Sequence, residues 1–336
     1  MTTLTSSLSN SNGKLRAFDA SRDLNEVANL VELCFADTLD ADGRRYIQQM
    51  RSAARNPRYL RWAMNFAENV SMPLAGYVWE EDGKLVGNLS IIPLTNQGRR
   101  VYLIANVAVE ESYRRQGIAR ALTIAALEDI QHRGVKTVWL QVRDGNPSAI
   151  HLYQTLGFEE RTRRTTWESM QGSLEASFSN MRKPLTNITL SRHTSHAWSQ
   201  QQRWLEQTYP PHVIWHLPLN TKVLQPGLSG FFYRLFSGAR QQQWAAMRKK
   251  TLLGVISWTP GTVHIDHLWL ATAPEHEDAA IRALLPHARR HLPERRNLNL
   301  NYPAGRGVQA FRDAGFQIHQ TLIWMELKFE EAGSKA

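Results

Sequence analysis

The stretch from Glu111 to Leu122, "ESYRRQGIARAL", decides how the first half of this chain is interpreted. It follows an apolar run, "VYLIANVAV" (101–109), and leads into a long helical pattern. Gly117 and Ala119 leave the backbone accessible at the start of that helix, where amide groups lack intrahelical partners and attract anions. Taken alone, the stretch fits either a phosphate-binding loop or a polar turn that ends a strand.

The chain has the composition of a globular protein with a basic balance. Its length of 336 residues favours two domains, and 40 Lys and Arg against 30 Asp and Glu give a formal charge of +10, which favours anionic ligands. Cys34 is the single cysteine, so an intramolecular disulfide is excluded and a reducing compartment fits. No apolar run approaches the ~20 residues that cross a bilayer. The Ser/Thr-rich start lacks the apolar core of a signal peptide. We therefore predict a soluble, cytoplasmic protein that does not associate with membranes.

The order of apolar patterns predicts a mixed α/β fold. Helices are predicted over 21–37, where Cys34 lies on the apolar stripe as a small buried hydrophobe, and over about 43–68. Three antiparallel strands follow, with an Asp-Gly hairpin signal in "EEDGK" (80–84). A helix, a strand, a short helix and a last strand complete the pattern. This order indicates a mostly antiparallel mixed sheet flanked by helices.

A second copy of the same pattern follows the first. The segment "LGF" (156–158) corresponds to "AGF" (314–316) 158 positions later, and "ARAL" corresponds to "IRAL" 162 positions later. Two successive copies of one fold explain these repeats. We predict an N-terminal domain over 14–170 and a C-terminal domain over 186–330, with the seam near 171–186.

A second polar motif follows the strand "TVWLQVR" (137–143). Asn146 and Tyr153, in "NPSAIHLYQTLGF", lie seven residues apart, about two helical turns, on one side of a short helix. Because both motifs follow strand ends, adjacent strands would bring the two helix starts together. Tyr153 would then lie near whatever the first helix binds; the alternative is a tyrosine packed in the core.

The two segments together resemble the GNAT superfamily of N-acetyltransferases. The family signature Arg/Gln-x-x-Gly-x-Gly/Ala is matched by Arg114 to Ala119, and the resemblance implies two tandem GNAT folds with acetyl-CoA as cosubstrate. The strand at 107–109 would pair with the pantetheine amides, and Asn146 would contact the pantetheine arm. The cofactor-binding residues that the resemblance implies are Val107, Ala108, Val109, Arg114, Arg115, Gln116, Gly117, Ile118, Ala119, Arg120, Asn146 and Tyr153.

The resemblance also implies direct transfer of an acetyl or other short acyl group to a primary amine of a small molecule or peptide. The amine attacks the thioester carbonyl, strand amides stabilise the oxyanion, and Tyr153 protonates the departing thiolate as general acid. The general base stays unassigned. Asn106 could only position a water, while Glu110 and Glu111 fit a solvated strand exit. His151 fits either orientation. A non-catalytic acyl-CoA-binding or interaction module is the alternative function.

The second copy keeps the pattern of the first and lacks its chemistry. Arg115 aligns with Glu277, so a carboxylate stands where a pyrophosphate needs positive charge. Tyr153 aligns with Phe311, which has no hydroxyl to donate. The predicted role of the second copy is structural: it would cover the first copy, wall the acceptor site or form a homodimer.

Metal binding and nucleic-acid binding are two further classes that the composition raises. His212 and His216 lie four residues apart, but nearby prolines argue against a helix and no carboxylate completes a ligand set, so we predict no metal site. The arginines are spread over both copies, which favours a solvated surface over a nucleic-acid site.

Overall fold

The chain forms two compact units in the computed structural model, which describes residues 13–39, 41–65, 73–96, 99–169, 187–192, 197–261, 265–292 and 296–329. The first unit comprises three parts: the described residues up to Val142, then Asn146–Arg161, and last the described residues from Trp324 onward. The second takes Arg143–Gly145 and Thr162–Ile323. The N-terminal tail and the predicted seam lie outside the described residues.

The elements of the first half follow the predicted order of strands and helices. They are β1 (Lys14–Ala17), α1 (Ala20–Phe35), α2 (Ala41–Ala54), α3 (Pro57–Asn65), β2 (Ala75–Glu81), β3 (Lys84–Asn96), β4 (Arg99–Val109), α4 (Ile118–His132), β5 (Thr137–Arg143), α5 (Pro147–Thr155) and β6 (Glu159–Ser169). A short 3-10 turn, Glu111–Tyr113, lies between β4 and α4.

The elements of the second half repeat that order from its own first strand. They are β7 (Thr189–Arg192), α6 (Trp198–Thr208), α7 (Pro211–Ile214), α8 (Thr221–Leu224), α9 (Gly227–Ser237), β8 (Gln242–Arg248), β9 (Thr251–Thr259), β10 (Ile265–Thr272), α10 (Glu277–His291), β11 (Asn297–Pro303), α11 (Val308–Asp313) and β12 (Gln317–Lys328). A 3-10 turn, Pro274–His276, precedes α10.

Each unit is built on a mostly antiparallel sheet flanked by helices, as predicted. In the first unit, β1, β2, β3 and β4 pair antiparallel in sequence order, and β4 pairs with β5 in parallel. In the second, β7, β8, β9 and β10 pair antiparallel, and β10 pairs with β11 in parallel. The predicted mixed α/β class is therefore confirmed.

The last strand of each half passes from one unit to the other. Most of β6, from Thr162, belongs to the second unit, where it pairs antiparallel with β11. The end of β12, from Trp324, belongs to the first unit, where it follows β5 in the sheet order. The predicted ranges 14–170 and 186–330 describe successive copies in the sequence and stay a prediction; the compact units differ from them at these last strands.

The helical region predicted over about 43–68 is two helices in the structure. Helix α2 ends at Ala54, and α3 begins at Pro57, whose fixed φ and missing N–H suit the first position of a helix. The Asn56 side chain accepts a hydrogen bond from the Tyr59 amide at 3.0 Å, as a helix cap does. The region is therefore helical, as predicted, with a break before Pro57 because proline interrupts the hydrogen-bond ladder; 66–68 lie outside the described residues.

Helix α1 packs on the sheet through the stripe that the sequence predicts. Leu24, Val27 and Val31 are buried in the same core cluster as Val78 of β2. Cys34 is partly buried against that cluster, in agreement with its prediction as a small packed side chain.

Helix α4 lies close to the sheet because β3 carries a glycine beneath its start. A Cβ atom at Gly87 would lie 2.8 Å from Ile118 Cγ2 and 3.0 Å from Trp79 Cβ. Gly87 faces Val109 in the β3–β4 register, so this approach fixes where the helix begins relative to the end of β4.

We expect Gly87→Ala to lower the free energy of unfolding by about 1–3 kcal/mol, because the added methyl group must displace packed side chains. Gly145→Ala is the matched control, since no atom lies within 4 Å of its would-be Cβ; its effect should stay within about 0.5 kcal/mol. Chemical unfolding of both variants measures the difference. Equal effects would contradict the close packing of α4 on β3.

Candidate functional site

Strand β4 separates from β5 well before its own end. The parallel register covers 102–104 of β4 and 138–140 of β5. Farther along β4, the Glu110 amide donates to the Val86 carbonyl oxygen at 2.9 Å, toward β3. Because successive residues of a strand direct their amides to opposite sides, Val109 directs its N–H and C=O away from β3. This backbone faces the side from which β5 has diverged.

A β-bulge lies at the point of divergence. Ser90 of β3 faces Ala105 of β4, whereas Asn88 faces Ala108, so β4 contains one extra residue here. Asn106 lies in the bulge and has a φ of +50°, a left-handed conformation that asparagine tolerates better than most residues. A bulge bends its strand and increases its twist, which turns the end of β4 away from β5.

Polar side chains hold Asn106 in this conformation. Its Nδ2 donates to Tyr46 Oη at 3.1 Å and to Ser90 Oγ at 3.3 Å. Asn88 Nδ2 donates to the Asn106 carbonyl oxygen at 2.9 Å. The sequence reasoning singled out Asn106 and missed its three partners. The available signal was the pair of polar residues, Asn88 and Ser90, on the apolar strand "LVGNLSIIPL".

The loop between β4 and α4 forms a concave row of backbone amides. Arg115 has φ of +66° and Gly117 has φ of +84°, and α4 begins at Ile118. The first helical hydrogen bond runs from the Ala121 amide to the Gly117 carbonyl oxygen, and no side chain caps the helix. The amides of 118–120 thus have no acceptor within the helix. Left-handed turns followed by a helix N-terminus form an anion-binding nest.

The three arginines of this loop have different surroundings. Arg114 Nε donates to the Val109 carbonyl oxygen at 3.1 Å, and its guanidinium lies 4.0 Å from Glu111. Arg120 Nη1 donates to Thr155 Oγ1 at 3.2 Å, which joins α4 to α5. Arg115 is exposed, and no residue in the described part of the chain pairs with its guanidinium. Arg115 is therefore the loop arginine whose guanidinium is left without a partner among the described residues.

Asn146 is the N-cap of α5. Its Oδ1 accepts a hydrogen bond from the Ala149 amide at 3.1 Å, and Pro147 follows at the first helical position. The side chain is exposed, so its Nδ2 can still contact a ligand. The structure gives this predicted site residue a local structural role that the sequence reasoning did not assign.

Tyr153 lies on α5 with its side chain almost fully buried, at 6% exposure. Its ring packs edge-to-face against Phe158 at 6.0 Å. Burial raises the pKa of Tyr153 to about 12, because the phenolate would lose its hydration. The hydrogen bond between Arg120 and Thr155 brings the helix of Tyr153 beside the start of α4, as the two-motif argument predicts.

Among the described residues, the carboxylates next to this loop are engaged or exposed. Glu110 pairs with Lys84 at 2.6 Å, and Glu111 is exposed. The Cys34 thiol donates to the Val109 carbonyl oxygen at 3.4 Å, and burial raises its pKa. His151 is exposed on α5. The general base stays unassigned.

The junction between β10 and α10 in the second unit corresponds to the junction between β4 and α4 in the first, but helix takes the place of the loop. The Ala273 amide donates to the Leu253 carbonyl oxygen, as Glu110 does to Val86 in the first unit. A Cβ atom at Gly254 would lie 3.0 Å from Ala280, as Gly87 approaches Ile118. Ile118 and Ala280 are 162 positions apart, which is the offset found in the sequence. It places the first turn of α10, residues 277–279, where the first unit has the loop at 115–117.

Charged side chains also neutralise each other at this second junction. Glu277, at the start of α10, accepts a hydrogen bond from Arg306 Nε at 3.0 Å. The carboxylate is 11% exposed, and the Arg306 guanidinium lies over the Tyr302 ring at 5.4 Å. A buried carboxylate at this helix start repels a phosphate group.

The divergence of β10 from β11 is filled by the unit's own side chains. Their parallel register ends at Leu268 of β10, and the Leu270 amide donates to Tyr209 Oη at 3.3 Å. Tyr209 is buried, and Arg164 lies over its ring at 5.1 Å while donating to the Thr208 carbonyl oxygen. The strand amide that faces outward in this unit thus already has a partner.

Neither a bilayer span nor a metal cluster is found in the described part of the chain. None of its helices combines the length and apolar character that a span requires. No group of three His, Cys, Asp or Glu side chains within those residues could hold a metal ion.

Residues 38–158 match the model of the Acetyltransferase (GNAT) family. The ribosomal protein bS18 alanine N-acetyltransferase of Escherichia coli K12 is 44% identical over 72 residues, which are 21% of this chain and 49% of that protein. An N-alpha-acetyltransferase of Sulfurisphaera tokodaii is 36% identical over 99 residues, 26% of this chain and 57% of that protein. The chain thus spans about half the length of the curated relatives it matches.

One solved structure is similar to nearly the whole chain. A GCN5-related N-acetyltransferase from Sphaerobacter thermophilus matches with a TM-score of 0.53 and 14% identity, covering 94% of this chain and 95% of that one. This likeness supports the fold of both halves.

We expect Asn146→Ala to lower the free energy of unfolding by about 0.5–2 kcal/mol, because α5 loses its N-cap. Ser148→Ala in the same helical turn is the control and should change stability by less than about 0.5 kcal/mol. Thermal and chemical unfolding of both variants provide the measurement. An unchanged Asn146→Ala protein would show that the cap hydrogen bond contributes nothing to the fold.

Proposed function

From the match of residues 38–158 to the acetyltransferase (GNAT) family model, we propose that the chain transfers an acetyl or other short acyl group from acyl-CoA to a primary amine. The observation that carries the proposal is the loop before α4. Its left-handed residues, Arg115 and Gly117, and the unpaired first amides of the helix match the charge and hydrogen-bonding needs of a pyrophosphate.

The remaining predicted residues fit the other parts of the same ligand. Val107, Ala108 and Val109 lie on the end of β4, past the bulge, where Val109 directs its amide N–H away from β3 and can donate it to an extended polar chain such as pantetheine. The Val109 carbonyl oxygen already accepts from Arg114 and Cys34. Asn146 keeps a free Nδ2 for the same chain. Gln116, Ile118, Ala119 and Arg120 would contribute chiefly through backbone and position, since Ile118 is buried and Arg120 bonds to Thr155.

The cosubstrate supplies an acyl group activated as a thioester. The residues of this chain bind the cosubstrate, orient its thioester and protonate the departing thiolate. Tyr153 suits the proton-donating role because a phenol with a pKa of about 12 remains protonated at every pH at which an amine acceptor reacts. The contact of Arg120 with Thr155 supports a fixed position of α5 beside the loop.

We propose the α-amino group of a polypeptide as the acceptor. The two relatives described above are named for alanine and Nα acetylation. An α-amino group has a pKa of about 7.7–8.0, so on the order of 10% is unprotonated at pH 7, whereas a lysine amine near 10.4 is almost wholly protonated. An acceptor amine that is already partly unprotonated depends less on a general base.

A non-catalytic acyl-CoA-binding module is the second candidate. The ion pair of Glu110 with Lys84 favours it, because that pair occupies a carboxylate near the end of β4. Turnover on an amine distinguishes the two functions.

We expect Arg115→Ala to weaken binding of acetyl-CoA about tenfold, since one charge-assisted contact to phosphate is lost. The salt dependence of binding should fall as well. Arg55→Ala, at an exposed position outside the loop, is the matched control and should leave affinity unchanged. Calorimetric titration at low and high salt measures both. Equal affinity of the Arg115 variant and the wild type would place the pyrophosphate elsewhere.

We expect the protein to release free CoA from acetyl-CoA in the presence of peptides with a free N-terminus, and Tyr153→Phe to slow kcat about 100-fold while CoA binding persists. Tyr77→Phe on β2 is the control. Because the pKa of Tyr153 is raised to about 12, kcat should not decline between pH 8 and pH 10 through loss of its proton.

Three outcomes of this assay separate the candidates. Release with α-amines and a slow Tyr153 variant supports the proposed enzyme. CoA binding without release on either α-amines or lysine amines supports the binding module. An unchanged rate in Tyr153→Phe rules out this tyrosine as the general acid.

A further inference from the structure

Helix α9 of the second unit presents its apolar face to solvent. The five large apolar residues of that face follow one another at i, i+3, i+4, i+7 and i+8, the spacing of a helical stripe made for burial. Their exposed fractions are 50–84%: Leu228 76%, Phe231 54%, Phe232 50%, Leu235 62% and Phe236 84%. We name these residues the α9 stripe.

Polar contacts hold α9 in this orientation. Arg234 Nη1 donates to the carbonyl oxygens of Val223 and Gln225, both at 2.8 Å. A Cβ atom at Gly230 would lie 1.8 Å from the Gln225 carbonyl oxygen, so the helix rests directly on the preceding segment. Gly230 is the one residue of α9 that is buried. The helix is thus anchored by its polar side, and its apolar side is left outward.

The α9 stripe is large enough to form a stable interface. Its five side chains expose the equivalent of about three whole residues, on the order of 600 Å² of apolar surface. The largest apolar patch of a typical monomer measures about 300–600 Å², so the α9 stripe lies at the top of that range, where such patches are often functional. Two such stripes in contact would remove about 1,200 Å² from water, which reaches the lower end of the range of specific interfaces.

The charges around the stripe favour an apolar protein partner over a lipid surface. Arg234 is the single charged residue of α9, and its guanidinium is turned toward Val223 and Gln225, away from the stripe. A helix that lies on an anionic membrane has Lys and Arg along its polar face. In α9 that face is occupied by contacts within the unit, among them the hydrogen bond of Asn220 with Tyr233.

We propose that the α9 stripe is the contact surface of a homodimer, in which a second copy of this chain lays its own α9 across the first. An uninterrupted apolar stripe is complementary to itself, and a two-fold axis lets the same surface serve both copies. Phe232 lies at the middle of α9, so in an antiparallel pair it meets the Phe232 of the other copy. The aromatic cluster of Phe231, Phe232 and Phe236 forms the centre of the contact.

The formal charge of +10 sets the salt dependence of this dimer. Two copies repel each other at low ionic strength, and salt screens that repulsion while strengthening apolar contact. Dimerisation should therefore increase with salt. If the chain bound a polyanion, that binding would weaken as the salt concentration rises.

Light scattering and sedimentation of the full chain test the proposal. The wild type should show twice the monomer mass at micromolar concentrations, and Phe232→Glu should raise the dimer Kd at least about 30-fold, as loss of a central contact does. Leu33→Glu is the matched control: Leu33 is 64% exposed on α1 of the first unit, and its variant should dimerise normally. Circular dichroism confirms that both variants fold.

A mixture of two charge variants gives an independent test. Phe232→Glu and Phe232→Lys should each be monomeric alone and should form a dimer when mixed, because the two-fold axis places opposite charges together. A wild type that stays monomeric at about 100 μM overturns the proposal, as does a Phe232→Glu protein that dimerises normally. A monomer that floats with anionic vesicles would assign the stripe to lipid and would equally overturn it.

Discussion

The short parallel pairing of β4 with β5 is the constraint on which the candidate site depends. The register stops at residue 104 of β4, and the bulge at Asn106 turns the rest of the strand away. Without that divergence β5 would pair with the Val109 amide, which now faces away from β3. Tyr46, Ser90 and Asn88 hold Asn106 in the left-handed conformation that makes the bulge.

In the second unit the corresponding strand divergence and helix start are occupied by side chains of the unit itself. The amide of Leu270 is bound by Tyr209, and the helix start that would receive a phosphate holds Glu277 with Arg306. Open polar groups in a protein interior are costly, so a strand divergence must be filled by a ligand, by water or by side chains. In the first unit the loop amides and the Arg115 guanidinium have no partner among the described residues. In the second unit the strand amide is bonded by Tyr209, and the charged Glu277 at the helix start is paired with Arg306.

The arginines of the chain differ in whether a carboxylate neutralises them. In the first unit several arginines are held by carboxylates, as Arg16 is by Asp23 and Glu80, so a surplus of basic residues does not by itself create a binding surface. Arg115 differs from these because its guanidinium has no partner in the described part of the chain and lies beside the unpaired amides of the loop. Conversely, the apolar stripe of α9 stands out because its helix has its polar contacts inside the unit.

The sequence by itself determined the fold class, the glycine loop before α4 and the pairing of that loop with the α5 motif. These depend on local patterns: apolar periodicity, a glycine at the start of a helical pattern and the spacing of Asn146 and Tyr153. Only the tertiary structure decided which arginine is free, because Arg114, Arg115 and Arg120 are equivalent in a string of letters and differ in their neighbours. It also decided the bulge, the passage of β6 and β12 between units, and the outward direction of the α9 stripe. Each of these depends on contacts between residues distant in sequence, which no local pattern encodes.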